Sequence, residues 1–264
     1  MGAEISMGDA IKSMQAAEPD RVETCTVHGE YTSRKVISRV WTKCPACTKA
    51  AEEKARADEL AAEKAARDAR WQSRLGGSGI PPRFVDRTLP RFVADNDGQR
   101  HALQFAMAYC AEFERGHSGR CAVFIGEPGT GKTHLACGIA LRAMGKFGAS
   151  AVFTTVSKMA RRVRESKSFS SEETESQAIG VFVYPDLLIV DEVGLQSGTD
   201  AEARTLFDII NERYEQRKPT IFLSNLDLDG VKAALGERVF DRLREDGGEV
   251  VTFAWDSHRG RAVA

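Results

Sequence analysis

Gly126-Glu127-Pro128-Gly129-Thr130-Gly131-Lys132-Thr133 constrains this chain more than any other stretch. It follows an apolar run, Cys121-Ala122-Val123-Phe124-Ile125, that reads as a buried strand, and it precedes residues 134–141, which read as a helix. A strand, a glycine-rich turn, Lys-Thr and a helix form a phosphate-binding loop in the context that confirms one. The glycines let backbone N–H groups turn inward around an anion, at a helix N-terminus that already favours negative charge. Lys132 adds a point charge for the β- and γ-phosphates, and the Thr133 hydroxyl is a ligand for Mg²⁺.

About sixty residues later a second apolar run, Leu187-Leu188-Ile189-Val190, ends in Asp191-Glu192. Parallel α/β sheets place their sites at strand C-termini, so both carboxylates fall where the nucleotide would sit. Asp191 suits the Mg²⁺ shell, and Glu192 suits orienting and deprotonating an attacking water. Thr220-Ile221-Phe222-Leu223-Ser224-Asn225 is a further buried strand, and Asn225 at its end either reaches the γ-phosphate or serves as a turn residue. Residues 151–156 and 249–254 supply the remaining two strands. Helices are expected over 97–115, with Ala102, Phe105, Ala106, Tyr109 and Phe113 on the apolar face, and over 158–167 behind a Ser157 cap. Two more are expected over 200–216 and 228–244. Cys110, Cys121 and Cys137 read as core, and His101, His117, His134 and His258 as ordinary.

The N-terminal part follows other rules. Cys25 and His28 are separated by two residues, as are Cys44 and Cys47, with fifteen residues between the pairs. Three thiols and an imidazole at that spacing close a tetrahedral Zn²⁺ site of the structural type, the alternative being three reduced cysteines and a surface histidine. Residues 31–41 can form a short hairpin with Val36, Val40 and Trp41 as a minimal core, too small to fold without the metal. Six cysteines in a chain whose N-terminus shows no targeting signal suit a reducing, cytoplasmic setting, and no apolar run approaches a membrane span. Residues 48–74 then turn to Ala, Glu, Lys and Arg with i,i+4 pairs such as Glu52/Arg56 and Glu63/Arg67, reading as a solvated linker helix or a partner-binding coiled coil. Gly76-Gly77-Ser78-Gly79 reads as a hinge. The expected domains are a zinc module at 1–47, a linker helix and hinge at 48–79, and a nucleotide-binding domain at 80–264.

A net charge of -1 excludes a wholesale basic protein, so a nucleic-acid contact needs a local patch. Residues 157–169 hold Lys158, Arg161, Arg162, Arg164 and Lys167 against the single acid Glu165, and Phe169 follows. Cations for phosphates beside a ring for a base suit single-stranded DNA, although a charge run also serves as a solvated face.

On these residues the chain resembles the DnaC/IstB family of AAA+ ATPases over about residues 80–261. The likeness rests on the glycine-rich loop, Leu187-Leu188-Ile189-Val190-Asp191-Glu192, the Leu223-Ser224-Asn225 strand end, Gly236-Glu237-Arg238-Val239-Phe240-Asp241-Arg242-Leu243 and Trp255-Asp256-Ser257-His258-Arg259. The resemblance implies an α/β fold: a five-stranded parallel sheet sandwiched by helices, with no C-terminal lid because eight residues follow Asp256. It implies ATP, Mg²⁺ and a helicase loader that delivers a hexameric, DnaB-type replicative helicase onto DNA, self-associating in the ATP state, bound to single-stranded DNA and independent of membranes. In that family's terms Gly126, Glu127, Pro128, Gly129, Thr130, Gly131, Lys132 and Thr133 hold nucleotide, Asp191 and Glu192 serve metal and water, and Asn225 is the first sensor. Arg242 matches the trans-acting finger, with Arg238 the other candidate, and Arg259 matches the second sensor. The alternative within the fold is a transposase helper ATPase acting on duplex DNA.

Overall fold

The computed structural model describes residues 19–37, 40–195 and 199–258. The expectation of a frayed or weakly helical N-terminal tail falls largely outside them. The chain divides into two compact units, Met1–Ala69 and Arg70–Ala264.

In the first unit β1 (Arg21–Cys25) and β2 (Gly29–Ser33) pair antiparallel, as do β3 (Lys35–Ile37) and β4 (Val40–Trp41). Two two-stranded ribbons have no second layer to cover an apolar face, so the minimal core expected from Val36 and Val40 does not form: both are exposed. Trp41 instead lies under the Arg21 guanidinium, 4.1 Å from the ring centroid. Of this unit's described residues only Ser33 and Cys44 are buried. Helix α1 (Pro45–Gly77) opens on a proline, which suits a first helical turn, and buries no residue along its length.

The second unit is built on a five-stranded parallel sheet in the order β6-β7-β8-β5-β9. The strands are β5 (Ala122–Gly126), β6 (Ala151–Thr155), β7 (Leu187–Val193), β8 (Thr220–Ser224) and β9 (Glu249–Phe253). Side chains alternate between faces along each strand. Ala122 and Phe124 therefore join one core with α2 (Asp97–Ala111) and α3 (Lys132–Lys146). Val123 and Ile125 join the opposite core with α4 (Val156–Ser166), α5 (Glu175–Val183), α6 (Asp200–Glu215), α7 (Leu228–Leu235) and α8 (Glu237–Arg244). With helices on both faces the inner strands are largely buried, which is why β5, β7 and β8 read as mostly hydrophobic runs, while the edge strand β9 carries Glu249 and an exposed Thr252.

The compact second unit takes in the chain from Arg70: Trp71 and Leu75 pack on the first core, Arg74 donates to the Met144 carbonyl at 2.9 Å, and Phe153 N–H donates to the Ser78 carbonyl at 2.7 Å. Ser78 is fully buried, which ties the glycine-rich stretch to the β6 edge. Two local expectations are corrected. The cap of α4 is Thr155, whose side chain accepts from Lys158 N–H, while the Ser157 hydroxyl donates to Glu202. The single helix expected over 228–244 is two, because Gly236 at φ 80°, ψ 150° leaves the helical region and separates α7 from α8.

Candidate functional site

Strand β5 lies inside the sheet between β8 and β9, and its C-terminal end carries the glycine-rich loop straight into the first turn of α3. Gly131 is the helix N-cap at φ 102°, and a Cβ there would sit 2.7 Å from the Phe92 ring. Only glycine meets both demands. The Thr130 hydroxyl, fully buried, donates to the Glu127 carbonyl at 2.8 Å and closes the loop on itself.

Lys132 is 6% exposed, and its Nζ donates to the carbonyls of Gly126 at 2.6 Å and Glu127 at 2.9 Å. A nearly buried ammonium at the loop puts positive charge where a polyphosphate would bind. Thr133 Oγ1 donates to Asp191 Oδ2 at 3.2 Å, which brings a hydroxyl and a carboxylate from two elements to one point. Burial pushes the Asp191 carboxyl above the usual range, against the backbone N–H of Glu192 and the Thr133 hydroxyl, which pull it down. These hard oxygen donors suit Mg²⁺, and the loop suits a polyphosphate.

Glu192 is exposed beside them and adopts φ 59°, a left-handed conformation that costs a non-glycine residue about 1–3 kcal/mol. The cause lies in the sheet: the β7–β8 register slips between Val190 and Val193, and Glu192 N–H turns back to donate to Asp191 Oδ1 at 2.7 Å. The bulge re-aims the carboxylate out of the ladder. Ser224 Oγ then ties the strand ends by donating to the Val193 carbonyl at 2.7 Å, and Asn225 follows immediately, exposed.

The arginines separate. Arg238 on α8 is exposed, whereas Arg242 is half-buried with its guanidinium over the rings of Phe207 at 5.1 Å and Tyr214 at 5.5 Å. Arg242 is thus engaged within its own chain. Arg259 lies outside the described residues.

Sequence reasoning passed over three residues that touch the loop and a fourth that touches one of them. Phe92 abuts Gly131, Trp255 Nε1 donates to the Thr130 carbonyl at 2.9 Å, His258 N–H donates to the Gly129 carbonyl at 3.1 Å, and Gln99 Nε2 lies 2.8 Å from His258 Nε2. The reading of His258 as ordinary is therefore corrected. No periodicity marks these contacts; only the run of Trp255 to His258 within the family resemblance hinted at them.

In the first unit the ligand atoms of Cys25, His28, Cys44 and Cys47 all lie within 4.8 Å of one another. His28 Nδ1 is 3.7 Å from Cys25 Sγ, 3.7 Å from Cys44 Sγ and 3.3 Å from Cys47 Sγ, and Cys25 Sγ is 3.5 Å from Cys47 Sγ. Tetrahedral Zn²⁺ with sulfur at about 2.3 Å requires edges of about 3.7 Å, so the donor set fits the ion in both chemistry and spacing.

The basic stretch is less cationic than its sequence. Arg162 pairs with Glu173 at 2.6 Å, Lys167 with Glu175 at 2.8 Å, and Arg161 with Glu165 at 3.9 Å. Lys158 and Arg164 are exposed, and Phe169 is wholly exposed.

Residues 48–262 match the family described as IstB-like ATP binding protein. The chain belongs to that family. Its AAA+ α/β domain is that of an ATPase. It is 34% identical over 194 residues to the replicative helicase loader DnaC of Buchnera aphidicola subsp. Acyrthosiphon pisum, covering 72% of this chain and 76% of the relative. It is 29% identical to the replicative helicase loader DnaC of Escherichia coli K12 over 260 residues, 98% of each chain. Among solved structures, the crystal structure of the DnaC helicase loader superposes with a TM-score of 0.59 at 23% identity, covering 65% of this chain and 99% of that one. The replication initiator DnaA bound to AMPPCP and single-stranded DNA gives 0.55 at 22% identity, covering 67% and 51%. These superpositions establish the shared fold. Among the described residues no helix is long and apolar enough to cross a membrane.

Proposed function

We propose that this ATPase loads a hexameric replicative helicase onto DNA, working in the cytoplasm. The observation that carries the proposal is the alignment over 98% of both chains with a relative named as a replicative helicase loader, in a protein whose Lys132, Thr133 and Asp191 meet at one strand-end site. Residues 126–133 would bind the phosphates of ATP, with Thr133 and Asp191 holding Mg²⁺. Bound MgATP supplies a γ-phosphoryl group whose transfer to water is strongly favourable. Glu192 takes the proton from that water, and Asn225 orients it. Arg238, free at the surface where Arg242 is not, is the better candidate for the finger that reaches a neighbouring copy. Such fingers raise phosphoryl transfer by about 10³–10⁵, which would make hydrolysis depend on self-association. Arg259 is the proposed second sensor.

Phe169, with Lys158, Arg161, Arg162, Arg164 and Lys167, is the proposed contact to single-stranded DNA, the ring stacking on a base once the flanking acids release their partners. The module at 1–47, closed by Zn²⁺ on Cys25, His28, Cys44 and Cys47, would grip the helicase. Residues 48–79 would connect it to the ATPase domain at 80–264.

The test is to mix the purified protein with a replicative helicase of a bacterial host, ATP and Mg²⁺, and to measure the complex by sizing chromatography with light scattering. A stable complex lost on deleting residues 1–47 supports the loader. The family description favours a second reading, a transposase helper that acts on duplex DNA. No helicase complex, together with ATP-dependent bending of duplex DNA, would replace the first reading by the second.

A further inference from the structure

A phosphate loop can point its N–H groups inward only if its carbonyls face outward, and those carbonyls need donors. The α3 ladder begins with the Gly131 carbonyl, which accepts from Leu135 N–H at 3.0 Å. The carbonyls of Gly129 and Thr130 come before it and lie beyond the helix's own donors. Both are taken by one segment more than a hundred residues away in sequence: Thr130 by the Trp255 indole at 2.9 Å and Gly129 by the His258 backbone at 3.1 Å.

That segment is itself anchored. The Trp255 ring lies 4.9 Å from the Phe253 ring and covers Gly98, where a Cβ would come within 3.1 Å of it. The His258 ring meets Gln99, which is 2% exposed. Gln99 Oε1 accepts from the N–H groups of Asp95 at 2.6 Å and Asn96 at 3.1 Å, as part of the capping box that starts α2. Its carbonyl is thereby committed, so its NH₂ faces the histidine. Nε2 of His258 is then the acceptor of that bond.

We propose that Gln99, His258 and Trp255 form a clasp that holds the phosphate loop in its nucleotide-accepting shape, as positioning residues for ATP binding. None of them needs to touch the reacting atoms. The first turn of α2 fixes Gln99, Gln99 fixes His258, and the segment from Trp255 to His258 draws two loop carbonyls outward. With the clasp released, the loop can turn those carbonyls inward, and binding must restore the geometry before phosphate is held.

The inference rests on residues 126–133 being the ATP loop, so Lys132→Ala is the reference variant. On the full chain, affinity for a fluorescent ATP analogue is read by anisotropy, and KM and kcat by phosphate release. Gln99→Leu and His258→Phe should each weaken binding and raise KM about tenfold, the size expected for one buried hydrogen bond lost, with kcat within about twofold of the parent. The double variant should be little worse than either single one. His258→Gln, whose side-chain carbonyl can accept from Gln99, should recover most of the loss; a purely structural role for the ring would not be rescued this way. Should Gln99→Leu fail to fold, the His258 pair still decides. Wild-type KM in His258→Phe, or a fall confined to kcat, overturns the clasp while Lys132→Ala still abolishes binding. Tight binding in Lys132→Ala would overturn the loop assignment itself.

Discussion

Replacing Arg213 should destabilise the ATPase domain without touching its chemistry. Arg213 is 1% exposed on α6, and its hydrogen bonds go to four carbonyls and one hydroxyl. Its Nη1 donates to the carbonyls of Phe182, Val183 and Pro185 at 3.0, 2.9 and 2.8 Å, its Nη2 to Pro219 at 2.6 Å, and its Nε to Thr220 Oγ1 at 3.0 Å. One guanidinium thus joins the end of α5 to the chain entering β7 and β8, and the first two carbonyls are those a helix leaves unpaired at its C-terminus. Burial lowers its pKa to about 10, so it remains charged at neutral pH. Hydrogen bonds to a charged group are worth about 1.5–3 kcal/mol each, but removing the charge also removes its desolvation cost. Arg213→Met should therefore cost about 5 kcal/mol net, lowering the melting temperature of a domain this size by about 10–20 °C. Arg213→Lys, with a single point of donation, should lose about half as much. Calorimetry reads the shift. ATP affinity well below the transition should be unchanged, because these contacts lie at the N-terminal ends of the strands and the nucleotide loop at the other. A drop under about 3 °C for Arg213→Met would refute the reasoning, showing that the desolvation cost cancels the bonds.

Three further outcomes are expected. Glu192→Gln should keep ATP binding and lose about 10²–10⁴ in turnover, read by phosphate release, and a loss under about threefold would remove Glu192 from the role of base. Burial raises the Asp191 pKa in the fold, so the folded state binds more protons than the unfolded chain just above the ordinary carboxyl value. Stability then falls as pH rises through that window, and the penalty is complete once the folded carboxyl has ionised. Asp191→Asn should accordingly raise the metal-free melting temperature at pH 7 while abolishing Mg²⁺-dependent turnover, and a lower melting temperature would reverse the sign. The purified protein should carry about one zinc per chain by elemental analysis, and Cys44→Ser should lose it and unfold residues 19–69 by hydrogen exchange while leaving the second unit protected. Retained zinc in that variant would exclude Cys44 as a ligand.

What the sequence disclosed follows from where the physics is local. Val123 to Ile125 and Leu187 to Val190 are buried on both faces of the sheet, so they announce themselves as apolar runs, and the glycine loop and paired cysteines carry their spacing in the chain. The paired charges of α4 were illegible because Glu173 and Glu175 return from a following turn, and the net charge of a stretch ignores what folds back onto it. Trp71, within the stretch that reads as a linker helix, and Leu75 just after it pack against partners far along the chain, the α3 surface among them. Arg242 and Arg238 are indistinguishable as letters; the rings of Phe207 and Tyr214 separate them. The left-handed Glu192 has no signature at all, since a carboxylate at a strand end reads the same whether the ladder slips or not.

The contact between Trp255 and Thr130 spans 125 residues. Protein synthesis at about 5–20 residues per second separates their emergence by roughly 6–25 s. The β5 strand gains its two neighbours, β8 and β9, only from chain made after it. A growing polypeptide therefore displays its glycine loop for many seconds before the sheet around it and the donors for its carbonyls exist. Competence to hold a nucleotide therefore waits on chain made more than a hundred residues after the loop itself.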